Sequence, residues 1–443
     1  MEHFITIESS ILDIEKLVEN NKPSGYSNVA DQFLPIGTKG PKDHKSSWDR
    51  VFQSLIEDLF QLSLGKMNIE AIKTKILESF RESRDTRELV DVIDELFFSS
   101  NSIKNITPLA YLVSNHESSA GKANTMVNII RGLLNSPLCE GIKHSGNNPL
   151  ESLLINKILH LCQPKPFDRD RLTYLPFLAK KFTEDIRNLT QSPSYFLSEL
   201  ESLINLYTFL YLSQLTTHLC IPSNRYKTPV SQPLYFILET ESASKERYES
   251  REYGYKRIFS KTGGIAFNLF PYLGYLNNLS KEPSWMLVNY DADHFTPQIN
   301  FFNQSVGGLF DEVYRPEDSL QAAINSGLNL QIQIFNKSTR KSVNKKVVEV
   351  FEKIFAAEFI TDRKAAGKYF VLNSNMILLL TNLVIIGSSE SKLLIDDVIE
   401  GFKERGIWLD IKSKNALLKF YENVGNIEKL SDSGDAVYVK TTI

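Results

Sequence analysis

The residue types that most often do chemistry are sparse in this chain and badly spaced for it. His160-Leu161-Cys162 and His218-Leu219-Cys220 repeat a His-x-Cys pair whose four side chains are zinc-ligand types. Both pairs fall in helical patterns, where residues i and i+2 point about 200° apart, so neither pair converges on one ion. Asp291-Ala292-Asp293-His294 offers donors to a divalent cation but reads first as a polar loop end. The zinc signature His-Glu-x-x-His is missing, because the fifth position after His116-Glu117 is Ala120, and no Gly-x-Ser-x-Gly elbow occurs. Lys261-Thr262-Gly263-Gly264 has the Lys-Thr of a phosphate loop, yet Ser260 stands where glycine must precede the lysine. Without that glycine the backbone cannot wrap a phosphate with its N–H groups. Leu393-Leu394-Ile395-Asp396-Asp397 mimics the acidic strand of an ATPase but lies inside a helix-turn-helix pattern. Asp410-Ile411-Lys412 has the acid-x-Lys spacing with which nucleases hold a metal and activate water. It opens a helix instead of lying on a strand beside a second acid, so a structural role is expected. No catalytic residues, no metal site and no cofactor are expected from this set.

The cations form more coherent groups. A candidate helix begins near Ser413 and carries Leu417, Phe420, Tyr421 and Val424 on its inner face. Helical geometry then turns Asn415, Lys419, Glu422 and Asn423 outward. Lys412 and Lys414 stand at its N-terminal end, where backbone N–H groups and the helix dipole favour a phosphate. Lys429 and Lys440 lie on a following hairpin that would touch the backbone as a wing. With no arginine on the helix to read guanine, these groups position DNA and hardly read its sequence. Glu422, Glu428, Asp432 and Asp435 weaken the electrostatic case and keep a protein-docking role open. A second basic run, Lys337, Arg340, Lys341, Lys345 and Lys346, has no acid within it; a solvated linker is the default, with Arg340 and Lys341 as supplementary DNA contacts. In a third, KERYESREYGYKRIFSK, cations alternate with Tyr248, Tyr253 and Tyr255, as they do where unpaired bases stack. Its Glu246, Glu249 and Glu252 favour a solvated, ion-paired helix instead.

The elements that would position these residues are mainly helical. Residues 1–47 read as one helix and an irregular segment. Residues 48–221 read as a helical domain, in which YFLSELESLINLYTFLYLSQLTTHL is apolar on several sides and therefore central. Residues 222–346 are broken by Pro and Gly into a mixed, loop-rich region ending in the basic linker Asn336–Lys346, and PLYFILET there is a strand or a buried helical turn. Residues 347–443 hold a helix and then the clearest pattern. Three helices capped by Ser374, Ser391 and Ser413, with Gly406 and Gly425 as stops, precede alternating NIEKL and AVYVK around Ser431-Asp432-Ser433-Gly434-Asp435. Three helices followed by a hairpin is the order of a winged helix. The fold class expected is mainly α: a multi-helical body with a C-terminal winged-helix domain.

Composition bounds the function. A net charge of -3 excludes a uniform polycationic DNA coater. Residues 337–443 nevertheless carry 17 Lys+Arg against 14 Asp+Glu, so the small basic surplus lies with the winged-helix pattern. Three cysteines do not build a disulfide framework and favour a reducing compartment. The N-terminal residues lack a secretory pattern, and Met376–Ile386 is about half the roughly 20 residues of a membrane span, so a cytoplasmic protein without membrane contact is expected.

The run FKERGIWLDIKSKNALLKFYENVGNIEKLSDSGDAVYVK resembles the ending of the DptG (DndG) family, and the resemblance continues in YLPFLAKKFTEDI, YFLSELESLINLYTFLYLSQL and PLYFILETESASKER. It covers most of the chain, weakly before about Pro108 and most specifically in the last 75 residues. These are sequence textures and include no catalytic motif. The resemblance implies a subunit of a bacterial restriction system linked to DNA phosphorothioation, in which three proteins act on DNA lacking the sulfur mark. It also implies DptF- and DptH-type partners that hydrolyse nucleotides, which agrees with the missing phosphate loop here. The expectation is a non-catalytic subunit that assembles the complex and touches duplex backbone. A pure protein scaffold and a divergent metal-dependent nuclease are the alternatives.

Overall fold

The structure is a computed structural model and describes residues 2–26, 44–65, 69–80, 87–99, 103, 106–113, 122–137, 148–168, 173–220, 228–242, 247–429 and 437–443. It is mostly helical, with small sheets. The first half contributes α1 (Glu2–Glu19), α2 (His44–Phe60), α3 (Ile69–Ser79), α4 (Arg87–Ile93), α5 (Lys122–Leu133), α6 (Pro149–Leu161), α7 (Pro176–Leu189) and α8 (Pro193–Cys220), with a two-residue pairing of β1 (Leu62–Ser63) and β2 (Gln163–Pro164). Local chemistry sets several starts. Asn148 accepts from the Glu151 amide at 2.9 Å ahead of Pro149, whose missing N–H would have no helical partner there anyway. The apolar run of α8 is central as expected, with Tyr207, Phe209, Leu210, Leu212 and Leu215 all buried.

The middle region opens with β3 (Leu234–Leu238), α9 (Tyr248–Glu252) and α10 (Tyr255–Phe259). It continues with α11 (Ala266–Leu279), α12 (Ser284–Leu287), α13 (Ala292–Leu309), α14 (Leu320–Lys337) and α15 (Arg340–Val350). PLYFILET thus contains a strand. The run Asn336–Lys346 is not a linker: it is the end of α14 and the start of α15, whose Val347 and Val348 are buried. The apolar side of the basic run supplies the reason, since burying it stabilises a helix that charge alone would leave solvated.

The last part holds β4 (Ile360–Asp362), β5 (Lys368–Leu372), α16 (Ser374–Gly387), β6 (Lys392–Leu394), α17 (Ile395–Glu404), β7 (Ile407–Leu409), α18 (Ile411–Val424), β8 (Ile427–Lys429) and β9 (Val437–Lys440). Strands from distant parts of the chain form one sheet in the order β4-β5-β3-β7. β3 runs parallel to both neighbours, pairing Ile237 with Val371 and Tyr235 with Trp408. Its continuous apolar sequence suits a strand covered on both faces. Phe209 of α8 stacks on Phe359 at 4.7 Å and meets Phe236 and Phe370 edge-on, so the long helix and the sheet share a core. Such ring pairs contribute about 0.5–1.5 kcal/mol each beyond their burial. One hydrophobic cluster extends from Ile7 to Val439.

A second sheet, β6-β9-β8, is antiparallel, with Leu393 opposite Val439 and Glu428 opposite Tyr438. NIEKL and AVYVK therefore pair as a hairpin; its expected tip, Ser431–Asp435, lies outside the described residues. The caps differ from expectation by a few residues. Asn373 caps α16 through the Met376 amide at 2.8 Å, and Ser374 is the first helical residue. Ser391 caps nothing, because β6 intervenes before α17. Asp410 caps α18, accepting from the Ser413 amide at 2.8 Å. Gly406 and Gly425 follow their helices at φ 88° and 80°, where a side chain would be strained.

Candidate nucleic-acid interface

α18 carries half of the expected contacts. Lys412, Asn415 and Lys419 are exposed, Lys414 is half-buried, and none of the three lysines forms an ion pair among the described residues. Leu417 and Tyr421 hold the opposite face inward. The Tyr421 hydroxyl meets Thr381 Oγ1 of α16 at 2.6 Å, and burial pushes that phenol up, so it stays neutral. α16 and α17 approach closely at Gly401, where a Cβ would stand 2.6 Å from Val384 Cγ1.

The N-terminus of α18 is already occupied. Asp410 accepts from Arg247 Nε at 2.9 Å and from Nη2 at 2.5 Å, while the Ser250 hydroxyl donates to it at 2.6 Å. Arg247 Nη2 also reaches Ser413 Oγ, and Nη1 reaches Glu241, whose other oxygen accepts from the Leu238 amide at 2.7 Å. Burial alone would push the Asp410 carboxyl up, but Arg247, Ser250 and the Ser413 amide outweigh it and hold the carboxyl below its ordinary range. The expected phosphate seat on these first amides is therefore filled by the chain's own carboxylate. Lys412 and Lys414 remain available as surface charges.

A second buried bridge fixes the other side of β7. Arg405 reaches Asp185 of α7 through Nε at 2.7 Å and through Nη2, and Tyr207 of α8 donates to the same carboxylate at 2.5 Å. Burial opposes the charge on Arg405, and the Asp185 carboxylate outweighs it, leaving the guanidinium firmly protonated. The two bridges tie the ends of the α17–α18 connection to helices far away in sequence.

The remaining expected contacts are elsewhere or committed. Lys440 pairs with Glu428 at 2.6 Å, and Lys392 grips the other oxygen at 2.6 Å. The two lysines, Lys392 most strongly, lower Glu428 to about 2. Lys429 lies in β8 opposite Val437. Arg340 and Lys341 open α15, which packs on α11 and α14, whereas α18 packs on β3 and β7. The Arg340 guanidinium lies 5.7 Å from the Phe335 ring, and burial lowers its affinity for a proton. The structure thus groups Lys412, Lys414, Asn415 and Lys419, and sets Arg340 and Lys341 apart from them. From Arg247 onward the third basic run forms α9 and α10, with Arg247 in the Asp410 network and Arg251 and Lys256 paired with Glu252.

Among the described residues no group of three or more His, Cys, Asp or Glu side chains is placed to hold a metal. His218 Nε2 contacts the Val230 carbonyl at 2.8 Å, and the Cys220 thiol donates to the Ile265 carbonyl at 3.5 Å. A cleft of about 410 Å³ in the helical body is lined by Arg131, Lys165, Tyr174 and Tyr211. Its two cations are held by Glu57 and Asp58. No helix among the described residues is long and apolar enough to cross a membrane. Comparison with known families finds no match, and no curated protein matches the chain.

Proposed function

We propose that this chain is a non-catalytic subunit of a bacterial phosphorothioation-dependent DNA restriction complex, with a C-terminal winged helix that touches duplex backbone. The observation carrying the reading is the order α16-β6-α17-β7-α18-β8-β9 with the sheet order β6-β9-β8, together with the α18 lysines, which have no ion pair among the described residues. In a helix-turn-helix module the second helix of the pair is the one offered to DNA. Lys412, Lys414 and Lys419 would neutralise phosphates, with Asn415 between them and Lys429 and Lys440 on the wing. Arg340 and Lys341 would extend the contact only along a longer duplex. The large helical body would dock DptF- and DptH-type subunits in the cytoplasm, and those partners would supply nucleotide hydrolysis.

A gel-shift series across salt concentrations tests this. Phosphate contacts release counterions, so the logarithm of affinity falls with the logarithm of salt in proportion to their number. Lys414→Glu/Lys419→Glu is expected to weaken binding and flatten that slope. Equal affinity and slope would remove DNA from the role of this module.

A scaffold whose winged helix binds protein is the second reading. It is favoured by the exposure of Ile411 (75%) and Val424 (44%) at the two ends of α18, and by the Glu428 clamp on Lys392 and the wing residue Lys440. Here the same double variant would lose partner subunits in a pull-down, and the isolated chain would never retain DNA. The nuclease alternative needs Asp410 free to hold a metal, and its carboxylate is engaged by Arg247, Ser250 and the Ser413 amide. Metal-dependent nicking by the purified chain, abolished by Asp410→Ala, would revive it.

A further inference from the structure

We propose that the cleft between α18 and the turn after β3 seats one phosphate group of a nucleic-acid backbone, held between Lys412 and Lys419. This rests on the reading of α18 as the DNA-facing helix and adds a wall to that site from outside the winged helix. The cleft, about 380 Å³, is bounded by Lys412, Lys419, Phe420 and Asn423 on one side and by Thr240 and Ser242 on the other. Its size suits a sugar-phosphate unit.

Charge and donors select the ligand class. Arg247 and Glu241 also line the cleft, but they are bonded to each other, so its uncompensated charge is that of the two lysines. Lys412 and Lys419 are two helical turns apart on one face, roughly 10 Å along the axis, and flank the space between them. Neither has an ion pair among the described residues, and the Thr240 and Ser242 hydroxyls have no hydrogen-bond partner there either. Five side chains around the cleft can therefore donate: two ammonium groups, two hydroxyls and the Asn423 amide. Its one carboxylate, on Glu241, is already saturated by Arg247 and the Leu238 amide. Such a donor-rich cup favours a tetrahedral anion with several acceptor oxygens, and Ala416 with Phe420 supplies an apolar rest for the attached sugar. The cleft also lies at the carboxyl ends of parallel β3 and β7, the place where open sheets of parallel strands commonly bind ligands.

The test measures binding of the full chain to a roughly 20-base-pair duplex between about 50 and 200 mM salt. Thr240→Ala/Ser242→Ala removes two uncharged donors, so affinity should fall about tenfold with the salt slope unchanged. Lys412→Ala/Lys419→Ala should lower the slope by about one, the contribution of the single phosphate they share. If Thr240→Ala/Ser242→Ala binds like wild type while the lysine variant loses slope, the seat is wrong and the DNA role of α18 stands. If wild type retains no duplex at any salt, the functional reading fails. Calorimetry with inorganic phosphate and a nucleoside monophosphate then decides the seat. Binding abolished by Lys412→Ala/Lys419→Ala would overturn the backbone assignment in favour of a free nucleotide, and no binding of either would overturn the seat altogether.

Discussion

Asp410→Ala should destabilise the α17–α18 region more than any surface change in the same helix. The residue does two things at once. As the cap of α18 it satisfies the Ser413 amide, a contribution of about 1 kcal/mol. It also neutralises Arg247, whose side chain is only 2% exposed. Breaking a buried pair by removing one partner costs about 3–5 kcal/mol, because the other charge is left without compensation. Glu241 would still hold Nη1, which places the total near the low end, about 3 kcal/mol. Trp408 sits two residues away in β7 and reports the region by fluorescence during urea unfolding, and hydrogen exchange of the α18 amides resolves local opening. A double-mutant cycle with Arg247→Met isolates the pair and should give a coupling of about 2 kcal/mol or more. Additive effects within about 0.5 kcal/mol would refute the bridge as an anchor. The pH dependence has a definite sign. The partners of Asp410 hold its folded-state carboxyl low, so the contribution is complete above an ordinary Asp pKa of about 4 and is lost as pH falls through the lowered value.

Glu428→Gln should free Lys392 and Lys440 from their shared carboxylate and raise duplex affinity several-fold at low salt; unchanged affinity would mean that the wing does not touch DNA. The Glu428 pairing should itself survive acid until pH falls through about 2, which carboxylate NMR titration reads directly. Gly401→Ala should cost about 1–3 kcal/mol by overpacking against Val384, and Val384→Ala in the same chain should recover part of it in thermal melts. His218 has its pKa lowered from 6.5 to about 4 by burial, against the helping Val230 carbonyl. Folding then favours the neutral ring, so its stabilising contribution is complete above pH 6.5 and is lost as pH falls toward about 4. In His218→Gln, unfolding midpoints between those values should lose that part of their pH dependence.

The sequence was most informative where local periodicity and end signals agreed. α8 announced itself as a buried helix because its apolar residues recur on several faces, and Gly406 and Gly425 marked real helix ends. The C-terminal helices and the NIEKL/AVYVK pairing were legible for the same reason. Signals of equal local strength were misassigned where tertiary contacts decided. Ser413 looks as good a cap as Asp410, but the Asp410 carboxylate takes the Ser413 amide and is itself held by Arg247 from a distant part of the chain. The run Asn336–Lys346 looked solvated because its lysines hide Val347 and Val348 at the far end of the same helix. On the candidate site, helical geometry alone placed Asn415 and Lys419 outward. The pairing of Lys440 with Glu428 depends on strand register, and the wall formed by Thr240 and Ser242 lies some 170 positions earlier in the chain. Nothing local records either one.

The two arginine bridges on either side of β7 have a mechanical consequence. A short connection between two helices ordinarily absorbs small rotations of one against the other. Here Arg405 clamps one end of that connection to α7 and α8, and Arg247 clamps the other beside β3. A torque applied to α18 has no slack segment in which to dissipate. The α17–α18 connection is held at both ends, by Asp185 of α7 with Tyr207 of α8 and by the Arg247 network, so α18 is braced against the helical body instead of hanging from a loose hinge.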